Sequence, residues 1–132
     1  KNIKVLSLEQ ATVLPFLTYR LAQEGMEIIR LEHPKFGDPN RFIGENALDE
    51  KGMNTYFLPN NCGKKAITLN LRSPEGQKLL RELIEKLDID IFACNQLPGN
   101  YPKLGIEYET LKKIKPDIIW IGITGFGPDS NE

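Results

Sequence analysis

The opening 32 residues read strand, helix, strand, and that order constrains the fold more than any other feature of the chain. Residues 3–7 (Ile-Lys-Val-Leu-Ser) predict a short strand and residues 16–24 a helix, with Pro15 near its start and Gly25 closing it as a C-terminal cap would. Residues 27–32 (Glu-Ile-Ile-Arg-Leu-Glu) predict the second strand. A strand that returns after a helical crossover lies parallel to the first, and such crossovers are right-handed. The alternation continues. A loop rich in Gly, Pro, Asn and Asp (33–54) is followed by a strand at 66–71, a helix at 74–87 and a strand at 89–94. A short helix at 108–114 and a fifth strand at 118–124 complete the order. Along the 74–87 helix, Leu79, Leu80, Leu83, Ile84 and Leu87 share one stripe, which predicts the face it buries. The expected fold is α/β, with a Rossmann-like, largely parallel sheet flanked by helices.

Parallel sheets take ligands at the carboxyl ends of their strands. Polar residues stand at those ends here: Glu32 and His33 after the second strand, Arg72 after the third, Asn95 and Gln96 after the fourth, Gly125-Phe-Gly127 after the fifth. A polar turn after a strand is also ordinary loop chemistry, so each residue taken singly says little. A dinucleotide-binding fold would need glycines after the first strand, where the backbone must approach a pyrophosphate. The turn reads Leu8-Glu-Gln-Ala-Thr-Val-Leu-Pro15, without a glycine. Glu32 sits where such a fold keeps its ribose-binding acid, but without the glycine loop the position carries no weight.

Other chemistries have little to work with. His33 is the only histidine, so neither a histidine-based metal site nor a Ser-His-Asp triad is expected. Seventeen basic and eighteen acidic residues give a net charge of −1, which offers no general attraction to nucleic acid. Tyr101, Tyr108 and Trp120 are too scattered for a base-stacking platform. The apolar runs are too short to span a bilayer, and no secretory signal pattern opens the sequence. Cys62 and Cys94 lack a C-x-x-C partner and are expected to be free thiols in a reducing cytoplasm. At 132 residues the chain suits one domain with its own core.

The stretch NNCGKKAITLNLRSPEG at 60–76 joins a cationic loop to a strand and then to a helix start, with Ser73 as cap, Pro74 in the first position and Glu75 at the positive end of the dipole. A cation beside a capped helix is a weak hint of a phosphate site. As a string, this stretch resembles the "N-x-N-K-R-S-x-x-L-D-L-K-x-P-E-G" tract of the family III CoA-transferases, which include formyl-CoA transferase, carnitine CoA-transferases and α-methylacyl-CoA racemases. Four more pieces follow the family's order: Val5-Leu-Ser-Leu8, Gly25 to Pro34 with Gly37-Asp38 and Arg41, Asp90 to Gly99 with Lys103-Leu-Gly105, and Ile121-Gly-Ile-Thr-Gly-Phe-Gly-Pro128.

The resemblance implies a site for coenzyme A or an acyl-CoA, bound as substrate, with no metal. Positions matching the family's CoA contacts are Thr12, Val13, His33, Leu69, Asn70, Leu71, Arg72, Asn95, Gln96, Leu97 and Lys103. Leu14 replaces the usual glycine before the proline, Arg72 keeps the charge of the usual lysine, His33 replaces a frequent arginine, and Gln96 stands where an aromatic often packs. The family's nucleophile is an aspartate in a segment beyond Gly-Phe-Gly. Asp129 matches the tail of that motif instead, and Asp38 and Asp90 read as a loop-ordering acid and a strand-start residue, so no catalytic residue is assigned.

The expectation is that residues 1–132 are the N-terminal CoA-binding α/β domain of such an enzyme, with the remainder of the family fold, including its small domain, lying outside the chain. A homodimer, or association with that remainder, is implied. An acyl-CoA racemase of the same family and a catalytically inactive CoA-binding or interaction module stay open as alternatives.

Overall fold

A computed structural model describes residues 2–127. Five strands, β1 (Lys4–Leu8), β2 (Glu27–Glu32), β3 (Lys65–Thr68), β4 (Ile91–Cys94) and β5 (Ile119–Gly122), form one sheet in the order β3-β2-β1-β4-β5. Every pairing is parallel, with Val5 opposite Ile28 on one side and Ile91 on the other. The order reverses between β1 and β4, the place where loops diverge and open a crevice above the strand ends.

Each face of the sheet has its own helices. Helix α1 (Val13–Gln23) covers Val5, Ile28 and Ile91 with Leu21 and Ala22. Helices α2 (Pro74–Lys86), α3 (Tyr101–Leu104) and α4 (Tyr108–Lys112) cover the opposite face, where Leu6, Ile29, Leu31 and Phe92 meet Leu80, Ile84 and Leu111. Alternation along β1 and β2 sends successive side chains to these two cores. Among the described residues no helix is long and apolar enough to cross a membrane.

The predicted elements appear in the predicted order, with helix α3 added between β4 and α4 and with local corrections. Helix α1 begins at Val13 rather than 16, so Pro15 lies inside its first turn, where a missing N–H costs nothing. Strand β3 ends at Thr68, because Leu69 to Arg72 already turn toward α2. Strand β4 starts two residues later than expected and ends at Cys94 as expected, while β5 is shorter than expected at both ends. On α2 the buried stripe is narrower than predicted: Leu80 and Ile84 are buried, Leu83 and Leu87 half-buried, and Leu79 remains 49% exposed. Ser73 caps α2 as expected, its Oγ accepting the Gly76 N–H at 3.0 Å. Gly76 lies against the Asn70 carbonyl so closely that a β-carbon would collide with it, which gives the Pro-Glu-Gly string its steric reason.

Candidate active-site groove

A groove of about 550 Å³ opens above the carboxyl ends of β1, β2, β3 and β4. Its floor is apolar, formed by Leu8, Leu31, Leu69, Leu71 and Leu104. Its rim is polar: Gln10 after β1, His33 after β2, Arg72 after β3, Gln96 after β4, and Lys103 on α3. Neither the Arg72 guanidinium nor the Lys103 ammonium makes a hydrogen bond or ion pair with a described residue. Two unpaired cations over a leucine floor suit a ligand with anionic groups at one end and a flexible apolar stem.

The spacing of these cations is set by a residue that sequence reasoning missed. Gln77, in the second turn of α2, donates from Nε2 to the carbonyl of Leu71 at 3.0 Å and to that of Lys103 at 3.0 Å. One amide thus ties the turn carrying Arg72 to the helix carrying Lys103. Gly105 caps α3 in the left-handed region, φ 67°, and a β-carbon there would strike the Gln77 side chain. The Leu-Gly pair after Lys103 was the available signal, since glycine in that setting marks close approach.

His33 is anchored rather than free. Its Nδ1 accepts the N–H of Lys35 at 3.1 Å and of Phe36 at 3.4 Å, so the neutral ring carries its proton on Nε2 and presents a donor there. The Phe36 ring packs on it at 4.7 Å between centroids and also lines the groove.

The other sequence-derived positions are placed differently. Thr12 precedes α1 and Val13 opens it, 64% exposed, and neither lines the groove; Gln10 and Glu9 hold that wall instead. Asn70 and Asn95 shape turns. Asn70 accepts the Arg72 N–H at 3.1 Å, while Asn95 accepts from Gln10 N at 3.2 Å and donates to Gln10 O at 2.8 Å. Leu97 is 73% exposed, outside the lining. Phe126, between the glycines after β5, is exposed as well and does not line the groove. Asp129 lies outside the described residues. Among those residues no group of His, Cys, Asp and Glu gathers as a metal site.

Beneath the β1–α1 turn, on the α1 face, sits a buried charge network. Arg30, only 1% exposed in the middle of β2, donates from Nη2 to Asp38 Oδ2 at 2.7 Å and from Nη1 to Asn61, and lies 3.2 Å from Glu32 through Nε. Arg41 clamps Glu32 with two bonds of 2.8 and 2.5 Å. Lys64 Nζ donates to Glu9 Oε1 at 2.7 Å and to the Pro15 carbonyl at 2.8 Å, and the second Glu9 oxygen accepts Ser7 and Thr18 hydroxyls. Burial acts to raise the Glu32 carboxyl, but the Arg41 hydrogen bonds and the charges of Arg30 and Arg41 outweigh it and hold it below the ordinary value of 4.5. Burial pushes the Lys64 ammonium down, partly offset by Glu9. Lys64 belongs to the cationic loop before β3, yet its side chain is 1% exposed and neutralises a buried acid.

The sequence model of a family described as CoA-transferase family III matches residues 1–132. The chain belongs to that family. It is 35% identical over 127 residues to the succinyl-CoA:glutarate CoA-transferase of Mus musculus, covering 96% of this chain and 28% of that protein. It is 36% identical over 129 residues to the cinnamoyl-CoA:phenyllactate CoA-transferase of Clostridium sporogenes, covering 96% of this chain and 30% of that protein. A CAIB/BAIF family protein from Brucella suis, known from a crystal structure, superposes with a TM-score of 0.87 at 35% identity, over 97% of this chain and 34% of that one. The chain therefore spans less than a third of the length of these two curated relatives, in their N-terminal part. Membership of the family confirms the resemblance seen in the five ordered motifs.

Proposed function

We propose that the chain is the CoA-binding N-terminal part of a family III CoA-transferase, and that the groove above the strand ends receives CoA or an acyl-CoA. The observation that carries the reading is the pairing of Arg72 and Lys103, free of described partners and braced by Gln77, at the rim of a leucine-floored groove. CoA has a diphosphate and a ribose phosphate joined to a long, weakly polar pantetheine, so it needs cations at one end and apolar surface beyond them. The His33 Nε2–H adds a donor on the same rim. CoA moves between carboxylic acids when a carboxylate attacks the thioester carbonyl and expels the CoA thiolate. In this reading that carboxylate comes from the segment beyond Gly-Phe-Gly, and the residues described here bind and orient. A racemase of the same family would use the same groove.

Exposed Phe42, Ile43, Leu48 and Tyr56, in or beside the 33–54 loop, support association with a second copy or with further chain, because apolar surface of this extent is seldom left bare. The free thiols Cys62 and Cys94 suit a cytoplasmic setting.

Calorimetry on the complete protein tests the binding claim. A charge-assisted contact is worth roughly 1.5–3 kcal/mol, so Arg72→Ala or Lys103→Ala should weaken CoA binding by about one to two decades. Turnover at saturating CoA should change far less. Wild-type affinity in both folded variants would remove the groove from CoA binding.

A further inference from the structure

Asp38 is fully buried, yet it lies in a loop, and its carboxylate accepts no hydrogen bond from a residue of the groove lining. Its three acceptor bonds go elsewhere. Oδ1 receives the N–H of Ala11 at 3.1 Å and of Asn40 at 2.9 Å, and Oδ2 receives Arg30 Nη2 at 2.7 Å. Ala11 sits at φ 60°, the left-handed region that a residue with a β-carbon adopts only under constraint. On its other side the turn is held by Asn95, which brackets Gln10 with two hydrogen bonds. Ala11 thus occupies a strained conformation directly after Glu9 and Gln10, two residues of the groove wall, and Asp38 supplies the hydrogen bond that holds it there.

From this geometry we propose that Asp38 is a positioning residue for CoA binding: it fixes the left-handed Ala11 turn and so places the Glu9–Gln10 wall of the groove. Arg30 acts behind it. By binding Oδ2, the guanidinium leaves Oδ1 aimed at the two backbone N–H groups, and Glu32 holds the Asp38 backbone by accepting its N–H at 3.1 Å. The buried charge network then has a role beyond stability, because it links the β1–α1 turn to the loop that bears His33 and Phe36. The proposal rests on the groove being the CoA site.

The test uses the complete protein, with CoA titrated by calorimetry and amide exchange followed at residues 10–13. Asp38→Ala should accelerate exchange of the Ala11 amide and weaken CoA binding roughly ten- to hundredfold, since small misplacements of a binding wall cost that much. Adding Ala11→Gly to Asp38→Ala should recover much of the lost affinity, because glycine holds φ 60° without help. Asp38→Asn keeps a neutral acceptor for Ala11 and should preserve affinity better than Asp38→Ala, even as the unfolding midpoint falls from loss of the Arg30 pair. Should Asp38→Ala not fold, Ala11→Val gives an independent arm: a β-branched residue cannot rest at φ 60°, so CoA affinity should fall with the network intact. Unchanged affinity in Ala11→Val, or no rescue by Ala11→Gly, would overturn the proposal. If the wild-type protein itself fails to bind CoA, the functional reading falls, and the placing of the turn is decided by Ala11 amide exchange alone.

Discussion

The groove rim and the buried charge network each present an arginine and a lysine, and they use them in opposite ways. Arg72 and Lys103 stand at a solvent-open rim without described partners, over leucines. Arg30 and Lys64 are each 1% exposed in their side chains and spend their hydrogen bonds and ion pairs on Glu9, Glu32, Asp38, Asn61 and the Pro15 carbonyl. A cation that is already neutralised and desolvated has little left to offer a phosphate, whereas an unpaired one at a groove edge gains a charge-assisted bond when an anion arrives. Residue type alone does not separate binding cations from structural ones. Their partners do.

The sharpest way to break this contrast is to remove the central structural cation. Arg30→Met keeps most of the volume but strands the Asp38 carboxylate, while Glu32 keeps Arg41, and leaving a buried charge unpaired costs about 3–5 kcal/mol. Urea unfolding should show a loss of that order. A loss below about 1 kcal/mol would mean that water reaches the network and that it belongs with the rim. Arg72→Ala should do the reverse, weakening CoA binding by decades while shifting stability within about 0.5 kcal/mol, as surface substitutions do.

This contrast also marks what the sequence could and could not disclose. The βαβ order, the extent of β2 and the Ser73 cap were readable because they depend on local periodicity and on a capping hydroxyl three residues before the N–H it binds. Groove residues His33, Arg72, Gln96 and Lys103 were readable from strand ends and motif matches. The network was not, because its members come from segments as far apart as Ser7 and Lys64, and each alone looks like an ordinary polar residue. One signal was present: a strand inside a parallel sheet is covered on both faces, so Arg30 in the middle of β2 had to be buried and had to find acids. Thr12 and Val13 do not line the groove. Helix α1 starts earlier than its pattern suggests, carrying both residues off the groove wall.

A smaller effect belongs to pH. Because Glu32 has its folded pKa held below the ordinary 4.5, the folded protein binds fewer protons than the unfolded chain in the window beneath that value. Its contribution to stability is therefore complete above pH 4.5 and is lost as the pH falls through the folded pKa. Unfolding free energy measured from pH 6 downward should decline in that acidic range, and Glu32→Gln, less stable at neutral pH, should decline less steeply. An identical slope in the two proteins would assign acid sensitivity to other carboxylates.

The two cysteines extend the buried-versus-open distinction to thiols. Burial pushes the Cys94 thiol up to about 11, with Tyr101 beside it pushed up to about 12 by its own burial and the neighbouring thiol. Cys62 is exposed. A maleimide at pH 7.5 should label Cys62 within minutes and leave Cys94 untouched until the protein unfolds, because the thiolate is the reacting species. Rapid labelling of Cys94 in the folded protein would show that the core beneath α3 opens readily.

The smallest effect is expected at Lys65, one residue from Lys64. Its Nζ meets Glu27 at 2.6 Å, but the lysine side chain is 70% exposed, and the pair stands at the amino end of β3, across the sheet from the groove. The Lys65 hydrogen bond and charge lower the Glu27 carboxyl, yet water solvates both partners whether or not they touch. Lys65→Ala should leave the unfolding midpoint and CoA affinity unchanged within error, while Lys64→Ala lowers the midpoint clearly. Adjacent lysines with such different outcomes would isolate burial as the cause, since charge, side-chain length and sequence position are held nearly constant. A clear loss of CoA affinity in Lys65→Ala would place binding at the amino end of the sheet and undo the assignment of the groove.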